Sequence, residues 1–223
     1  LFFVAKCLTI SENKKNKEAI KYLIKTQNVC WDSIVIVSTK HYVLPVIYIK
    51  LKENRLLHFL PKELVRHMDI LSKTNKKRNK KIIKQAIEIN TLLLKNNISP
   101  VFINGVGFLL QKMYKDISER MVGDIDILVP KEDCLKSYEQ LKKNGYFVFD
   151  ETSKKNINNF RHLPRLIKEN RIAAVEIHHE LIKKPYQKEF GYKEFSLKNI
   201  KKKNLSFLSF SNQVLLTIVA TQI

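Results

Sequence analysis

The chain has 223 residues, 44% of them apolar, enough to bury a substantial core in one domain or one and a half. It has no run of about 18 apolar residues, which excludes a membrane-spanning helix. A net charge of +20 favours nucleic acid, nucleotides or acidic partners. The lysines, however, are spread through the chain among many Asn and Ile. The densest runs, 76–81 and 201–203, lack interleaved aromatics for base stacking and read as solvated helix faces and loops. Cys7, Cys30 and Cys134 are an odd set without metal-type spacing, as expected of reduced thiols in a cytoplasmic protein. The six histidines form no HxxxH pattern, so no zinc site is expected. The opening Leu1-Phe2-Phe3-Val4-Ala5 is broken by Lys6 and reads as part of the fold, not as a signal peptide. With no initiating Met and an apolar run at its end, the sequence looks like a piece of a longer protein.

Residues 14–27 predict a helix, with Ala19, Ile20, Leu23 and Ile24 on one stripe. Two apolar runs, 34–37 and 46–49, fit either strands or buried helix turns. Pro61 opens a helical region with Leu64, Val65, Met68 and Leu71 on one face. Ile82, Ile83, Ala86, Ile89 and Leu93 repeat at the same spacing, and Asn96 and Asn97 stop it. From Ser99 the character changes. A short buried strand over 100–104 leads through Gly105-Val106-Gly107 into an apolar helix, 108–114. The acidic stretch Gly123-Asp124-Ile125-Asp126-Ile127-Leu128-Val129 follows as a strand. Pro130 starts a helix with Leu135, Tyr138 and Leu141 inward, and Gly145 ends it. A strand over 146–149, a polar loop over 150–159 and a hairpin come next. The hairpin arms are 161–167 and 172–178, joined by 168–171. After Pro185 the chain is expected to be basic and irregular, with Ser211 capping a final helix.

Alternation on a strand puts Asp124 and Asp126 on one face while Ile125 and Ile127 point inward. Paired carboxylates on a rigid strand suit a hard divalent cation, magnesium or manganese, which takes oxygen ligands and substrate phosphates. Gly105 and Gly107 sit in a strand-to-helix turn whose backbone N–H groups can approach phosphates. A third carboxylate, Glu176, lies in the hairpin stretch Val175-Glu176-Ile177-His178 and shares its face with His178. It could orient or deprotonate an acceptor hydroxyl. Glu180 is a weaker substitute. Arg120 could clamp a phosphate or pair with an aspartate, and Lys112 is a surface residue within possible phosphate reach.

The ordered set resembles the nucleotidyltransferase superfamily typified by DNA polymerase beta. Within it, the chain is most similar to the bacterial uncharacterised nucleotidyltransferase family. The carriers are Ile103-Asn104-Gly105, Tyr114, Arg120, Gly123 to Val129 and Val175 to His178, with Val43-Leu44-Pro45 in a helical N-terminal region. The resemblance implies an α+β fold with a short mixed β-sheet backed by helices. It also implies transfer of a nucleoside monophosphate from an NTP such as ATP to a hydroxyl-bearing acceptor (protein, RNA or small molecule). Asp124, Asp126 and Glu176 would hold the metal, and Asn104, Gly105, Val106, Gly107 and Arg120 would meet the nucleotide. Two departures matter. Asn104 stands where the family tends to have Lys, and Val106 where it often has a small or hydroxyl residue. The expected division is a mainly helical region over 1–97, a nucleotidyltransferase core over 98–195, and the start of a helical C-terminal region over 196–223.

Two other readings compete. A D-x-D glycosyltransferase would need a nucleotide-binding α/β half before the motif, where this chain reads as mainly helical. A nucleotidyltransferase fold retired to binding draws its support from Asn104.

Overall fold

A computed structural model describes residues 1–26, 29–148, 161–182, 190–196, 200–202 and 204–220. The chain divides into two compact units, 1–79 with 114–121, and 80–113 with 122–223. No described helix is long and apolar enough to cross a membrane.

The first unit is helical: α1 (Phe2–Leu8), α2 (Lys14–Lys25), α3 (Trp31–Lys40), α4 (Leu44–Glu53), a 3-10 turn (Leu57–Phe59) and the beginning of α5 (Lys62–Lys95). Asn13 caps α2, its side chain accepting from the Lys15 N–H at 3.0 Å, and Ile20 and Ile24 are buried as the stripe requires. Both ambiguous runs are helical. In α4, Leu44, Ile47, Tyr48 and Leu51 are all buried, a spacing of three and four that no strand could place on one side. Pro45 stands in its first turn, where no intrahelical N–H is needed. Cys7, Ile20, Leu44, Ile47, Leu51 and Met68 share this core, and the Trp31 ring meets Phe3 edge-on at 5.8 Å. Asn75 and Asn79, nearly buried on α5, donate to the backbone carbonyls of Ile117, Ser118 and Arg120, and so hold segment 114–121. Asn79 interrupts the basic run 76–81. Lys77, Lys80 and Lys81 are exposed on the helix around it.

The second unit is built on a seven-stranded mixed sheet in the order β3-β4-β5-β2-β1-β7-β6. The strands are β1 (Val101–Phe102), β2 (Asp124–Leu128), β3 (Phe147–Val148), β4 (Leu166–Ile167), β5 (Ala174–His178), β6 (Ile200–Lys202) and β7 (Leu205–Phe207). The β2–β5 and β1–β7 pairs are parallel, and the other pairs are antiparallel. Its helices are the rest of α5, α6 (Asn104–Gln111), α7 (Lys131–Lys143), α8 (Tyr192–Ser196) and α9 (Phe210–Ala220). Phe102 and Phe207 pair across β1 and β7 with ring centroids 6.4 Å apart, both fully buried. A second apolar cluster gathers Ile103, Leu128, Leu181, Leu208 and Leu216.

The structure corrects several expectations. The helix after β1 spans Asn104–Gln111, so Gly105 and Gly107 lie in its first turn and not in a loop before it. In α7 the buried side is Cys134, Ser137 and Leu141, and Leu135 is 60% exposed. The stretch beyond residue 185 is not irregular throughout, because β6 and β7 form a hairpin that extends the sheet through β1. The final helix starts at Phe210, and the Ser209 hydroxyl, not Ser211, accepts from the Asn212 N–H. Gly145 ends α7 at φ +82°, as its position predicted. The loop over 150–159, Phe149 and Pro185 lie outside the described residues.

Candidate active site

The site begins with strand register. β2 and β5 run parallel with Asp124 opposite Ala174, Asp126 opposite Glu176 and Leu128 opposite His178. Ile125, Ile127, Val175 and Ile177 are fully buried, which turns Asp124, Asp126 and Glu176 to the other, half-open face. A shift of one residue in either strand would separate the carboxylates, so the apolar residues between them fix the site as firmly as the acids do.

On that face His178 is 3% exposed and its Nε2 lies 3.2 Å from Asp126 Oδ1 and 3.6 Å from Glu176 Oε2. The Asn104 amide donates to Asp126 Oδ2 at 3.1 Å. The His162 ring packs on His178 with centroids 5.0 Å apart. The Arg165 guanidinium pairs with Asp124 and lies 3.7 Å from Glu176 Oε1. Three carboxylates are thus met by two cationic groups, one buried and one half exposed.

Their ionisation follows. Burial, the largest influence on His178, opposes its charged form, yet the hydrogen bonds and charges of Asp126 and Glu176 outweigh it and raise its pKa above 6.5. The His178 hydrogen bond acts most strongly on Glu176. With the charges of His162, His178 and Arg165 it holds that carboxyl below its ordinary value against the effect of burial. An imidazole held between two carboxylates marks a place where positive charge is favoured.

Ligating atoms of Asp126, Glu176 and His178 lie within 4.8 Å of one another. Two carboxylates from adjacent strands fit a hard divalent cation, and neutral His178 could add a nitrogen or orient the oxygens. Asp124 is engaged by Arg165.

The start of α6 stands beside these acids. Asn104 holds a left-handed backbone, φ +53°, which Asn tolerates better than most side chains. Gly107 is needed for close approach, since a Cβ there would lie 2.9 Å from the Phe102 carbonyl oxygen. Gly105 faces Val122, whose methyl a Cβ would meet at 3.1 Å. Val106 is fully buried and packs inward. Lys112 is the exposed C-cap of α6, about 12 Å of helix from Asn104, so it does not join the cluster. Arg120 is exposed in the first unit, with its carbonyl held by Asn75 and Asn79. Glu180 pairs with His179 at 3.9 Å.

Sequence reasoning missed Arg165 and His162. Arg165 was within reach of it, because an odd-numbered residue on the first hairpin arm shares a face with Glu176 on the second. Nothing in the sequence placed His162 against His178.

Sheet order and carboxylate placement define the class: an α+β protein with a nucleotidyltransferase-type fold. The family described as "Uncharacterised nucleotidyltransferase" matches residues 27–222, and the chain belongs to it. No curated protein and no solved structure matches the chain.

Proposed function

We propose that this protein transfers a nucleoside monophosphate from an NTP to an acceptor hydroxyl, using magnesium or manganese held by Asp126 and Glu176 with Asp124 beside them. The observation that carries the reading is the in-register pair Asp126 and Glu176, joined by His178 and set against the first residue of α6. When bound, the cation would neutralise charge on the reacting phosphates. The protein's own part is positioning. The start of α6 offers N–H groups and its positive end to the triphosphate. Glu176, ionised through the neutral range, accepts a hydrogen bond from the acceptor hydroxyl. The hydroxyl oxygen bonds to the α-phosphorus, the bond to the β-phosphate oxygen breaks, pyrophosphate leaves, and the proton passes to Glu176 or to water. His178 keeps both carboxylates oriented.

A second reading is a binding protein of the same fold with impaired catalysis. It draws on Asn104, whose amide occupies Asp126 Oδ2 at the position where a lysine was expected from the resemblance. The glycosyltransferase reading loses ground, since among the described residues before Asp124 the only strand is β1.

The test is incubation with α-labelled NTPs, Mg2+ or Mn2+, and cell lysate as the acceptor pool. Label should move to an acceptor, and Asp126→Asn should reduce transfer by about a hundredfold or more, on the scale of losing a preorganised charge-stabilising group. Undiminished labelling by Asp126→Asn would refute the site. Saturable nucleotide binding with no transfer to any acceptor would favour the second reading.

A further inference from the structure

Resting on the reading above, we propose that Arg165 is a hand-over cation. In the free protein it neutralises Asp124 and Glu176. When nucleotide arrives it leaves Asp124 to the divalent cation and grips the triphosphate.

The first support is placement by backbone. Leu166 lies opposite Val175 and His162 lies opposite His178, so three residues, 163 to 165, face only two, 176 and 177. One arm therefore carries an extra residue, a bulge next to the site, which bends the arm and re-aims its side chains. Pro164, which has no N–H to give a ladder, stands in the bulge, and Arg165 leaves it on the carboxylate face.

The second support is the contrast between the site's two cations. His178 is 3% exposed, anchored to Asp126 and Glu176, and packed against the tilted ring of His162. Arg165 has half its side chain in solvent, and its partner Asp124 is 30% exposed. A buried pair resists rearrangement, whereas an exposed pair exchanges partners at small cost. One charge is built in and the other can swing.

Chemistry supplies the third. A guanidinium fork matches carboxylate and phosphate equally well, so Arg165 can trade one for the other. Asp124 is absent from the set of converging ligand atoms, Asp126, Glu176 and His178, and the group occupying it is Arg165. A cation that uses Asp124 must displace that guanidinium, and a triphosphate gives it somewhere to go. Nucleotide and cation should therefore bind cooperatively, through this side chain.

The experiment measures Mn2+ binding to the full chain from the spectrum of free Mn2+, with and without a non-hydrolysable NTP analogue. It compares the wild type with Arg165→Gln, Arg165→Lys and Asp126→Asn, and thermal melting confirms that each is folded. Without nucleotide, Arg165→Gln should bind Mn2+ about three- to fivefold more tightly than the wild type, the scale of one exposed charge pair removed. The tightening that nucleotide produces in the wild type should shrink in Arg165→Gln, and Arg165→Lys should fall between the two. Equal Mn2+ affinities for wild type and Arg165→Gln in both states, with Asp126→Asn still weakened, would overturn the hand-over and leave the metal site standing. Absence of saturable Mn2+ binding by the wild type would overturn both.

Discussion

Gln85 ties α5 to the start of β5 within the second unit. It is 1% exposed on α5. Its amide nitrogen donates to the Ala173 carbonyl at 2.8 Å and to the Tyr146 hydroxyl at 3.3 Å, and its oxygen accepts from the Ala173 N–H at 3.2 Å. Ala173 immediately precedes β5, so this clasp sets where the strand carrying Glu176 and His178 begins. Gln85→Leu keeps the volume and removes all three bonds. The two bonds to Ala173 contribute about 1 kcal/mol each and its orphaned buried N–H about 1 kcal/mol more, for a destabilisation of about 3 kcal/mol. With a urea m-value of about 2 kcal/mol/M, the unfolding midpoint should fall by about 1.5 M. Urea denaturation followed by circular dichroism reads it, and Mn2+ binding in the absence of urea reports whether the site loosens too. A loss below about 1 kcal/mol would mean that β5 is positioned by its sheet neighbours alone and not by Gln85.

Two glycines make a paired test. Gly107→Ala drives a Cβ against the Phe102 carbonyl and should cost about 1–3 kcal/mol by calorimetry, whereas Gly123→Ala, with nothing within 4 Å, should be neutral or slightly stabilising. The site also sets a pH dependence for the metal-free protein. His178 has its folded pKa above 6.5, so its contribution is complete below 6.5 and is lost as pH rises through the raised value. Glu176 has its folded pKa below 4.5, so its contribution is complete above 4.5 and is lost as pH falls through the lowered value. Stability from this pair should plateau between 4.5 and 6.5 and decline on both sides, and His178→Gln should abolish the alkaline decline. Denaturation midpoints across pH, in buffer with chelator, check it.

Much of the acidic strand was legible because period-two alternation is a local rule: Ile125 and Ile127 must go inward, so Asp124 and Asp126 cannot. The same rule put Glu176 beside His178. It failed where two readings fit equally. The runs 34–37 and 46–49 are rich in β-branched residues, and what makes α4 a helix is the spacing of Leu44, Ile47, Tyr48 and Leu51 against a shared core. Leu135 was expected inside because it is apolar, but the helix turns Cys134, Ser137 and Leu141 to the sheet side and leaves it in solvent. The hairpin of β6 and β7 escaped notice because β1 supplies its partner from about a hundred residues earlier, a pairing that no local pattern encodes.

The sequence by itself determined which residues face together along each element, and therefore that two aspartates share one strand face and a glutamate and a histidine share another. Only the tertiary structure decided that these two faces are one. The parallel pairing of β2 with β5 places Asp126 opposite Glu176, and the antiparallel pairing of β4 with β5 sets Arg165 beside Glu176 and within reach of Asp124. The reason is physical: alternation is written in neighbouring residues, whereas register between strands 50 residues apart is settled by how the whole core packs.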